Sequence, residues 1–315
     1  DKSLSTIEKN RALTNMDSIF WHELKIQSVY YKSKAKYNLI DTTNVKDVSR
    51  IYKTLKSYID ELNTNASKYT SEIDKNEYLY KTKQILNFSM QTSLQLYNLT
   101  NDKTYLDHLI SLHESRIYNR IRSKLAIREN IKFKDVPKAI LEREKQLKDS
   151  LALMRETTDF DKETAQNFTL KNEEWNTFLD SIKSNYPKYH RLRYETIKQS
   201  LGSIQNNIAE QTTVVRYFFI DNQPYAFVVD SNRSTLHKLN SANLSDQINL
   251  LSEETLNEEK ITTILFQLYN QLWKPFENEI TTKKVIIVPD NELFNLSFET
   301  LTPKKVDTFE DLSES

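Results

Sequence analysis

Five histidines are the first candidates for acid–base or metal chemistry in this sequence, because imidazole titrates near neutral pH and binds transition metals. They are His22, His108, His113, His190 and His237. His108 and His113 are five residues apart, which places them about 140° apart around a helix, whereas ligands on one face need a spacing of three or four. We therefore predict no metal pair, and we interpret each histidine as a surface or partly buried structural residue.

Paired carboxylates and nucleophilic serines are the next candidates for catalysis. Adjacent glutamates occur at positions 173–174, 253–254 and 258–259. Neighbouring residues on a helix point about 100° apart, so these pairs indicate solvated faces or helix-start charges rather than a catalytic dyad. A serine hydrolase needs a nucleophile on a sharp, glycine-containing turn after a strand, and Ser297 follows a predicted strand without those glycines. We predict no catalytic, cofactor-binding or metal-binding residue in this chain.

A cluster of basic residues could form an anion site. Arg116, Arg120 and Lys124 repeat at four-residue steps and so share one face of a predicted helix. Glu114 and Glu129 flank the cluster. We interpret it as a salt-bridged surface in preference to an anion site.

Asp290 follows the apolar run VIIVP, at the carboxyl end of a predicted parallel strand. Ligands of open α/β sheets bind beyond such strand ends, so a polar residue there is a site candidate. The alternative is that Asp290 and Asn291 close a turn, since Asp and Asn side chains bond to nearby backbone and Asn tolerates a positive φ. The turn is the favoured interpretation.

Two residue types that carry much of enzyme chemistry are nearly or wholly missing. The chain has 315 residues with one glycine and no cysteine, although glycine makes up about 7% of an average protein. Glycine-rich phosphate loops are excluded, because the backbone needs several glycines to approach phosphates. Disulfides, thiolate metal sites and a cysteine nucleophile are excluded within these residues, and the absence of cysteine favours a cytoplasmic setting.

Charge and hydropathy limit the partners. The 44 basic and 44 acidic residues cancel, so no overall field draws the chain to nucleic acid or to anionic membranes. No apolar run approaches the 18 residues of a membrane span, and the first 30 residues lack a signal-peptide pattern. We expect neither nucleic acid nor membrane to be a partner.

Helical spacing dominates up to about residue 210. Apolar residues recur at steps of three and four between Val45 and Leu62, which predicts one helix, with a partner helix at 19–40. Further helices are predicted at 77–99 and 103–129, giving two helical hairpins like those of tetratricopeptide repeats, although longer and more degenerate. Additional helices are predicted at 137–156, 172–184 and 188–210.

The pattern changes to strands at Thr212. Runs at 213–220 and 225–230 flank the turn DNQP and predict a β-hairpin, and 235–240 predicts a third strand. An amphipathic helix is predicted at 258–279. The run VIIVP at 285–289 has no polar alternation, which is typical of a strand buried on both faces of a parallel sheet. The sequence therefore predicts an α/β sheet that is mainly parallel.

The helix LYNQLWKPFENEI and the stretch KVIIVPDNELFNLSFETL resemble the opening half of CHAT domains, the caspase-like domains associated with tetratricopeptide repeats. The helix matches the pattern at Leu268, Tyr269, Leu272 and Pro275; the strand and turn match at Ile286, Ile287, Val288, Pro289, Asp290, Leu293, Leu296, Phe298, Glu299 and Leu301. Two positions depart from it: Asn291 stands where glycine is usual, and Ser297 where proline is usual. The helical stretch from Glu114 to Leu151 resembles the segment that joins the last repeat to the CHAT domain.

The resemblance implies a bacterial, cytoplasmic protein with tetratricopeptide-like repeats at residues 1–210 and the first, non-catalytic half of a caspase-like CHAT domain at 211–315. Enzymes of this clan hydrolyse peptides with a His-Cys pair that follows later strands of the sheet. This chain has no cysteine and would be inactive alone. Its expected partners are a protein bound by the helical repeats and the remaining half of the CHAT domain, supplied by the same gene or by a second chain pairing with residues 284–289.

Two rival hypotheses remain open. The chain could be a non-enzymatic helical scaffold whose small α/β cap binds a partner, or a small-molecule hydrolase that works from Asp290. The peptidase hypothesis would be contradicted if VIIVP formed an edge strand without a caspase-like topology.

Overall fold

The computed structural model describes residues 18–65, 72–127, 135–156, 162–194, 200–253 and 256–313. The chain divides into two compact units, Asp1–Gln199 and Ser200–Ser315, which we call the helical unit and the sheet unit. None of the helices in the described ranges combines enough length and apolar character to cross a bilayer.

Four long helices form the first part of the helical unit. They are α1 (Ser18–Leu39), α2 (Val45–Asn65), α3 (Glu72–Thr100) and α4 (Lys103–Ile127). Helix α1 packs on α2 and α3, α2 packs on α3, and α3 packs on α4. The predicted helices are confirmed, because Ile51, Leu55 and Tyr58 of the apolar stripe are buried against Ile26 of α1 and Phe88 of α3. The assignment of these helices to a repeat family stays a prediction.

Short polar side chains account for the tight connection between α1 and α2. The Asn44 side chain accepts a hydrogen bond from the Lys46 backbone N–H at 3.0 Å, which satisfies a donor in the first turn of α2. Asp41 accepts bonds from both the backbone N–H and the hydroxyl of Thr43. These local bonds hold the turn from which α2 starts.

Three further helices complete the helical unit: α5 (Lys138–Glu156), α6 (Lys162–Asn185) and α7 (Pro187–Tyr194). They surround a core centred on the fully buried Trp175, which packs against Leu147, Leu179 and Tyr194. Pro187 is the first residue of α7, a position where its missing N–H costs no hydrogen bond. The helix predicted at 188–210 is interrupted at Ser200, whose backbone is extended and which caps the next helix, α8 (Leu201–Asn206), in the sheet unit. Residues 195–199 lie outside the described ranges.

The sheet unit begins with a meander of β1 (Thr212–Ile220), β2 (Gln223–Val229) and β3 (Ser234–Lys238). The hairpin between β1 and β2 is confirmed, and its loop is shorter than predicted. Asp221 and Asn222 alone form the turn, with φ of 48° and 63°. Two successive residues at positive φ match the twist of a hairpin, and Asp and Asn accept this conformation more readily than other non-glycine residues.

Two helices and a fourth strand follow: α9 (Leu244–Leu250), α10 (Glu258–Leu272) and β4 (Lys284–Val288). A short helix, α11 (Phe309–Ser313), comes last. The Asn257 side chain caps α10 by accepting the Lys260 N–H at 3.0 Å. The helix ends at Leu272, earlier than predicted, and a single 3-10 turn at Glu277–Glu279 follows Pro275. Proline cannot continue a helix, because it lacks the N–H and its ring clashes with the preceding turn.

The sheet has the strand order β3-β2-β1-β4. Its β1–β4 pairing is parallel, while the β1–β2 and β2–β3 pairings are antiparallel. The prediction of a mainly parallel sheet was therefore wrong. Short turns can join only antiparallel neighbours, whereas the connection from β3 to β4 is long enough for a parallel pair and carries α9 and α10.

The face of β1 that carries Val215, Tyr217 and Phe219 packs with α10, whose Leu268 and Leu272 are fully buried. The opposite face of the hairpin is buried as well, at Phe218, Ile220, Phe227 and Val229. Burial on both faces was predicted for VIIVP, and it occurs instead on β1 and β2. Strand β4 lies at the edge of the sheet, and Ile286 in its middle is 41% exposed.

Replacing Leu268 with alanine is expected to destabilise the sheet unit, because this fully buried side chain fills the space between α10 and the sheet. Such substitutions lower the free energy of unfolding by about 2–5 kcal/mol. The control, Lys260→Ala at an exposed position of α10, should change it by less than about 0.5 kcal/mol. Urea unfolding, with hydrogen exchange of the β1 and β2 amides, measures both variants. Equal effects of the two substitutions would contradict this packing.

Candidate functional site

The candidate site is the outer edge of β4 together with the turn that follows it. The Lys284 backbone N–H donates to the Gln211 carbonyl at 3.1 Å, towards β1. Backbone groups alternate in direction along a strand, so Ile286 and Val288 also direct their N–H groups towards β1. Val285 and Ile287 direct theirs away from it. Among the described residues no strand pairs with that side of β4.

The side chains of β4 differ between its two faces. Val285 and Ile287 pack against the core beneath α10. Ile286 points to the opposite face. An exposed strand edge with an apolar side chain is a template for pairing with another strand. The edge can therefore accept a further strand through its backbone and contact that strand's side chains through Ile286.

Asp290 and Asn291 form the turn at the end of β4. The Asp290 carbonyl accepts the Leu293 N–H at 3.2 Å, and Asn291 has a φ of 49°. A positive φ explains why asparagine can replace the glycine of the CHAT pattern. Asp290 is only 1% exposed. The structure favours the turn interpretation, since a carboxylate buried in this way is poorly placed to meet a substrate.

Several apolar positions of the stretch after Asn291 are core residues. Leu293 and Leu296 are buried beneath the sheet, and Phe298 stacks on Tyr217 with ring centroids 5.0 Å apart. Ser297, the candidate serine, precedes a short 3-10 turn, and its carbonyl accepts the Thr300 N–H at 3.1 Å. Its environment is that of a turn residue. Phe294, by contrast, is 62% exposed just beyond the strand end.

The histidines in the helical unit lie in structural surroundings. The His108 ring nitrogen Nδ1 is 3.1 Å from the Ser93 hydroxyl, and the ring meets Tyr52 edge-on. His113 and His190 are buried. The side chain of His22 lies outside the described residues. No group of three His, Cys, Asp or Glu residues in the described part of the chain could hold a metal ion.

His237 belongs to a polar cluster that the sequence did not reveal. Its Nε2 lies 3.2 Å from a Glu279 carboxylate oxygen and 3.1 Å from the Thr235 hydroxyl. A catalytic triad needs the hydroxyl on one ring nitrogen and the carboxylate on the other. Here one nitrogen faces both groups, and the Thr235 hydroxyl donates directly to Glu279. The cluster therefore ties β3 to the Glu277–Glu279 turn and does not activate Thr235 as a nucleophile.

Two of the three glutamate pairs lie within the described residues, and neither is placed as a dyad. Glu258 and Glu259 occupy the first turn of α10, as the helix-start interpretation predicted. Glu174 forms ion pairs with Arg143 and Lys171. Residue 254 lies outside the described ranges.

Of the basic cluster, Arg116 donates to the Asn87 side chain at 3.1 Å. The side chains of Arg120, Lys124 and Glu129 lie outside the described residues. The choice between a salt-bridged surface and an anion site therefore stays a prediction.

Glu144 on α5 lies at the centre of a buried network that joins α5 to α7. Its carboxylate, 3% exposed, accepts from the Tyr194 hydroxyl at 2.6 Å and from Arg193 at 2.9 Å. Lys148 and the Tyr189 hydroxyl also donate to it. Only the Glu144–Lys148 spacing of four was visible in the sequence, because the other donors come from residues 45 to 50 positions later.

The charges around Glu144 set its protonation. Desolvation raises its pKa, but the nearby charges of Lys148 and Arg193 and the bonds to its carboxylate outweigh that effect and hold the pKa below its usual value. Burial raises the pKa of Tyr194 well above its usual value, and the neighbouring Glu144 carboxylate raises it further. Glu144 is therefore ionised and both tyrosines are neutral donors at neutral pH.

Comparison with known proteins adds no relative. No protein-family model matches the chain, and no curated protein matches it. The resemblance to CHAT domains rests on the residues quoted above.

Glu144→Gln is expected to destabilise the helical unit by about 3 kcal/mol at pH 7, because it breaks a buried ion pair. This value is at the low end for such a change, since Lys148 and Arg193 are partly exposed. Because the pKa of Glu144 is lower in the folded chain than its unfolded value of about 4.3, the ionised carboxylate stabilises the fold above that pH. This contribution is lost as the pH falls through the folded pKa. The difference between variant and parent should therefore shrink towards pH 2.

The control for this experiment is Glu142→Gln, because Glu142 lies on the same helix in an exposed pair with Lys138 at 3.3 Å. Its effect should stay within about 0.5 kcal/mol at each pH. Urea midpoints between pH 7 and pH 2 measure both variants. An unchanged gap between parent and Glu144→Gln across that range would show that the Glu144 carboxylate does not carry the acid sensitivity.

Proposed function

We propose that this chain is the amino-terminal part of a cytoplasmic, caspase-like CHAT peptidase with tetratricopeptide-like repeats. In this proposal the helical unit recognises a protein partner. The sheet unit forms the structural half of the peptidase domain and supports a His-Cys pair carried by further strands. The chain itself has no cysteine, so in this proposal it would be inactive alone.

The observation that carries the proposal is the position of the 284–301 stretch. Its strand pairs in parallel with β1 and leaves its other edge available, with Ile286 exposed. A sheet of this kind can grow by adding a strand beside β4, which is where the proposal places the rest of the domain. Since an edge strand without a caspase-like topology would contradict the peptidase hypothesis, the proposal requires that further strands complete that topology. Leu293 and Leu296 of the CHAT pattern lie in the core beneath the sheet, and Ile287, Phe298 and Leu301 pack against it, so these positions of the pattern have a structural reason in this chain.

The edge position of β4 is also compatible with the alternative hypothesis of a non-enzymatic scaffold. A non-enzymatic scaffold whose α/β cap binds a partner strand would use the same edge, so the edge alone does not distinguish the two functions. The distinction is chemical, because only the peptidase requires a histidine and a cysteine at the ends of added strands.

The deciding experiment begins with the coding sequence downstream of Ser315. The peptidase proposal expects a histidine at a strand end, followed about 40–60 residues later by a cysteine at a strand end. The product that includes this region should cleave a peptide library, and its Cys→Ala variant should not. Downstream strands without that pair would support the scaffold instead.

Hydrogen exchange tests the strand edge directly. In the present chain the amides of Val285 and Ile287 are expected to exchange much faster than those of Ile286 and Val288, which are bonded towards β1. In the longer product all four should be protected, since the added strand pairs with β4. The amides of Ile286 and Val288, which are bonded towards β1, are the internal control. Continued fast exchange of Val285 and Ile287 in the longer product would contradict strand addition at this edge.

A further inference from the structure

The sheet has a second open edge, at β3. This strand comes first in the strand order β3-β2-β1-β4, and none of the described strands pairs with its outer side. Its residues, Ser234–Lys238, pair with β2 in antiparallel register on the inner side. An edge of this kind presents a row of backbone N–H and C=O groups to which another strand can bind.

The hydrogen bonds at the two ends of β3 show which residues direct their backbone groups outward. At one end the Arg233 carbonyl accepts the Asp230 N–H at 2.9 Å. At the other end the Leu239 N–H donates to the Pro224 carbonyl at 3.0 Å. Backbone direction alternates along a strand, so odd-numbered residues of β3 bond towards β2 and even-numbered residues direct their groups outward. The outward residues are Ser234, which is buried, Leu236, which is partly buried, and Lys238, which is exposed.

Leu236 ends an apolar row of the sheet. Its side chain lies on the same face as that of Phe227, its register partner on β2. Phe227 is 1% exposed, whereas Leu236 is only partly buried at the edge. A further strand with an apolar side chain opposite Leu236 would extend this row and complete the burial of Leu236.

A second copy of the same edge provides such a strand. When two β3 strands pair antiparallel about a two-fold axis at Leu236, each Leu236 lies opposite its counterpart, and Ser234 lies opposite Lys238 of the other copy. The outward N–H and C=O groups then form about six hydrogen bonds. The two lysines lie about 14 Å apart along the strands, beyond the Debye length of about 8 Å, so their repulsion is screened.

The other face of the strand is complementary to itself in the same register. His237 of one copy lies opposite Thr235 of the other, at a separation of about 5 Å between Cβ atoms. The Thr235 hydroxyl donates to the Glu279 carboxylate within its own copy. Each imidazole is therefore brought towards the carboxylate of the other copy, and the edge matches a second copy of this chain on both faces.

We propose that the chain forms a symmetric dimer through β3, in which the two four-stranded sheets become continuous. The inference goes beyond the proposed function and does not depend on it. In the dimer the β4 strands lie at the two outer ends of the joined sheet, so the edge that the proposed function assigns to further strands stays accessible.

Charges placed at the two-fold axis test the dimer. Sedimentation velocity of the whole chain should show a concentration-dependent dimer. Leu236→Glu and Leu236→Lys each bring two like charges face to face, which should weaken dimerisation at least about tenfold. An equimolar mixture of the two variants should dimerise again, because opposite charges then meet at the axis.

The control is Ile286→Glu, which places the same charge on the exposed β4 edge. It should change the dimer Kd less than about twofold, since β4 lies outside the proposed contact. Circular dichroism and urea unfolding of all three variants check that the sheet unit is retained.

Hydrogen exchange of the parent chain tests the edge without a substitution. As the protein concentration rises through the dimer Kd, the amides of Leu236 and Lys238 should exchange more slowly. The amides of Thr235 and His237 are bonded towards β2 and should not change.

Three outcomes would overturn the proposal: a parent chain that stays monomeric at high micromolar concentration, a variant mixture that does not dimerise, or an Ile286→Glu effect as large as that of Leu236→Glu. The last would assign self-association to β4. None of them bears on the downstream His-Cys pair, so this inference and the peptidase proposal can fail separately.

Discussion

Strand β1 is paired along both edges, with β2 in antiparallel and β4 in parallel register, and the rest of the sheet unit is arranged around it. Both of its faces are buried over residues 217–220, where the sequence YFFI is continuously apolar. The parallel neighbour forces a long crossover, and α9 and α10 provide it while covering one face. The position of β4 and the direction of its unpaired edge follow from this one parallel pairing.

The helical unit is stabilised differently, and two of the cores among its described residues contrast with each other. Around α1 to α3 the contacts are apolar, centred on Leu55 and Phe88. Around α5 to α7 a buried carboxylate is surrounded by two tyrosines and two cations beside Trp175. A buried polar network contributes to stability only when its members are satisfied, and Glu144 receives four donors.

The sequence located most helices and strands because their signals are local. The stripe on α2 follows from the helical period, β1 is a run of β-branched and aromatic residues, and the turn residues Asp221 and Asn222 mark the hairpin. The interpretation of Asp290 and Asn291 as a turn also used only neighbouring residues. The sheet type was wrong, because an apolar run such as VIIVP shows that a strand is hydrophobic without showing which strands will flank it.

The sequence alone is sufficient for the type of most elements, for the absence of cysteine and phosphate-loop chemistry, and for the turn chemistry of short polar segments. Only the tertiary structure decided that β3 and β4 lie at the edges and that Glu144 meets Tyr189 and Tyr194. The reason is physical. Local preferences arise from contacts a few residues apart, whereas edges and buried networks arise from packing between segments that the sequence does not show to be neighbours.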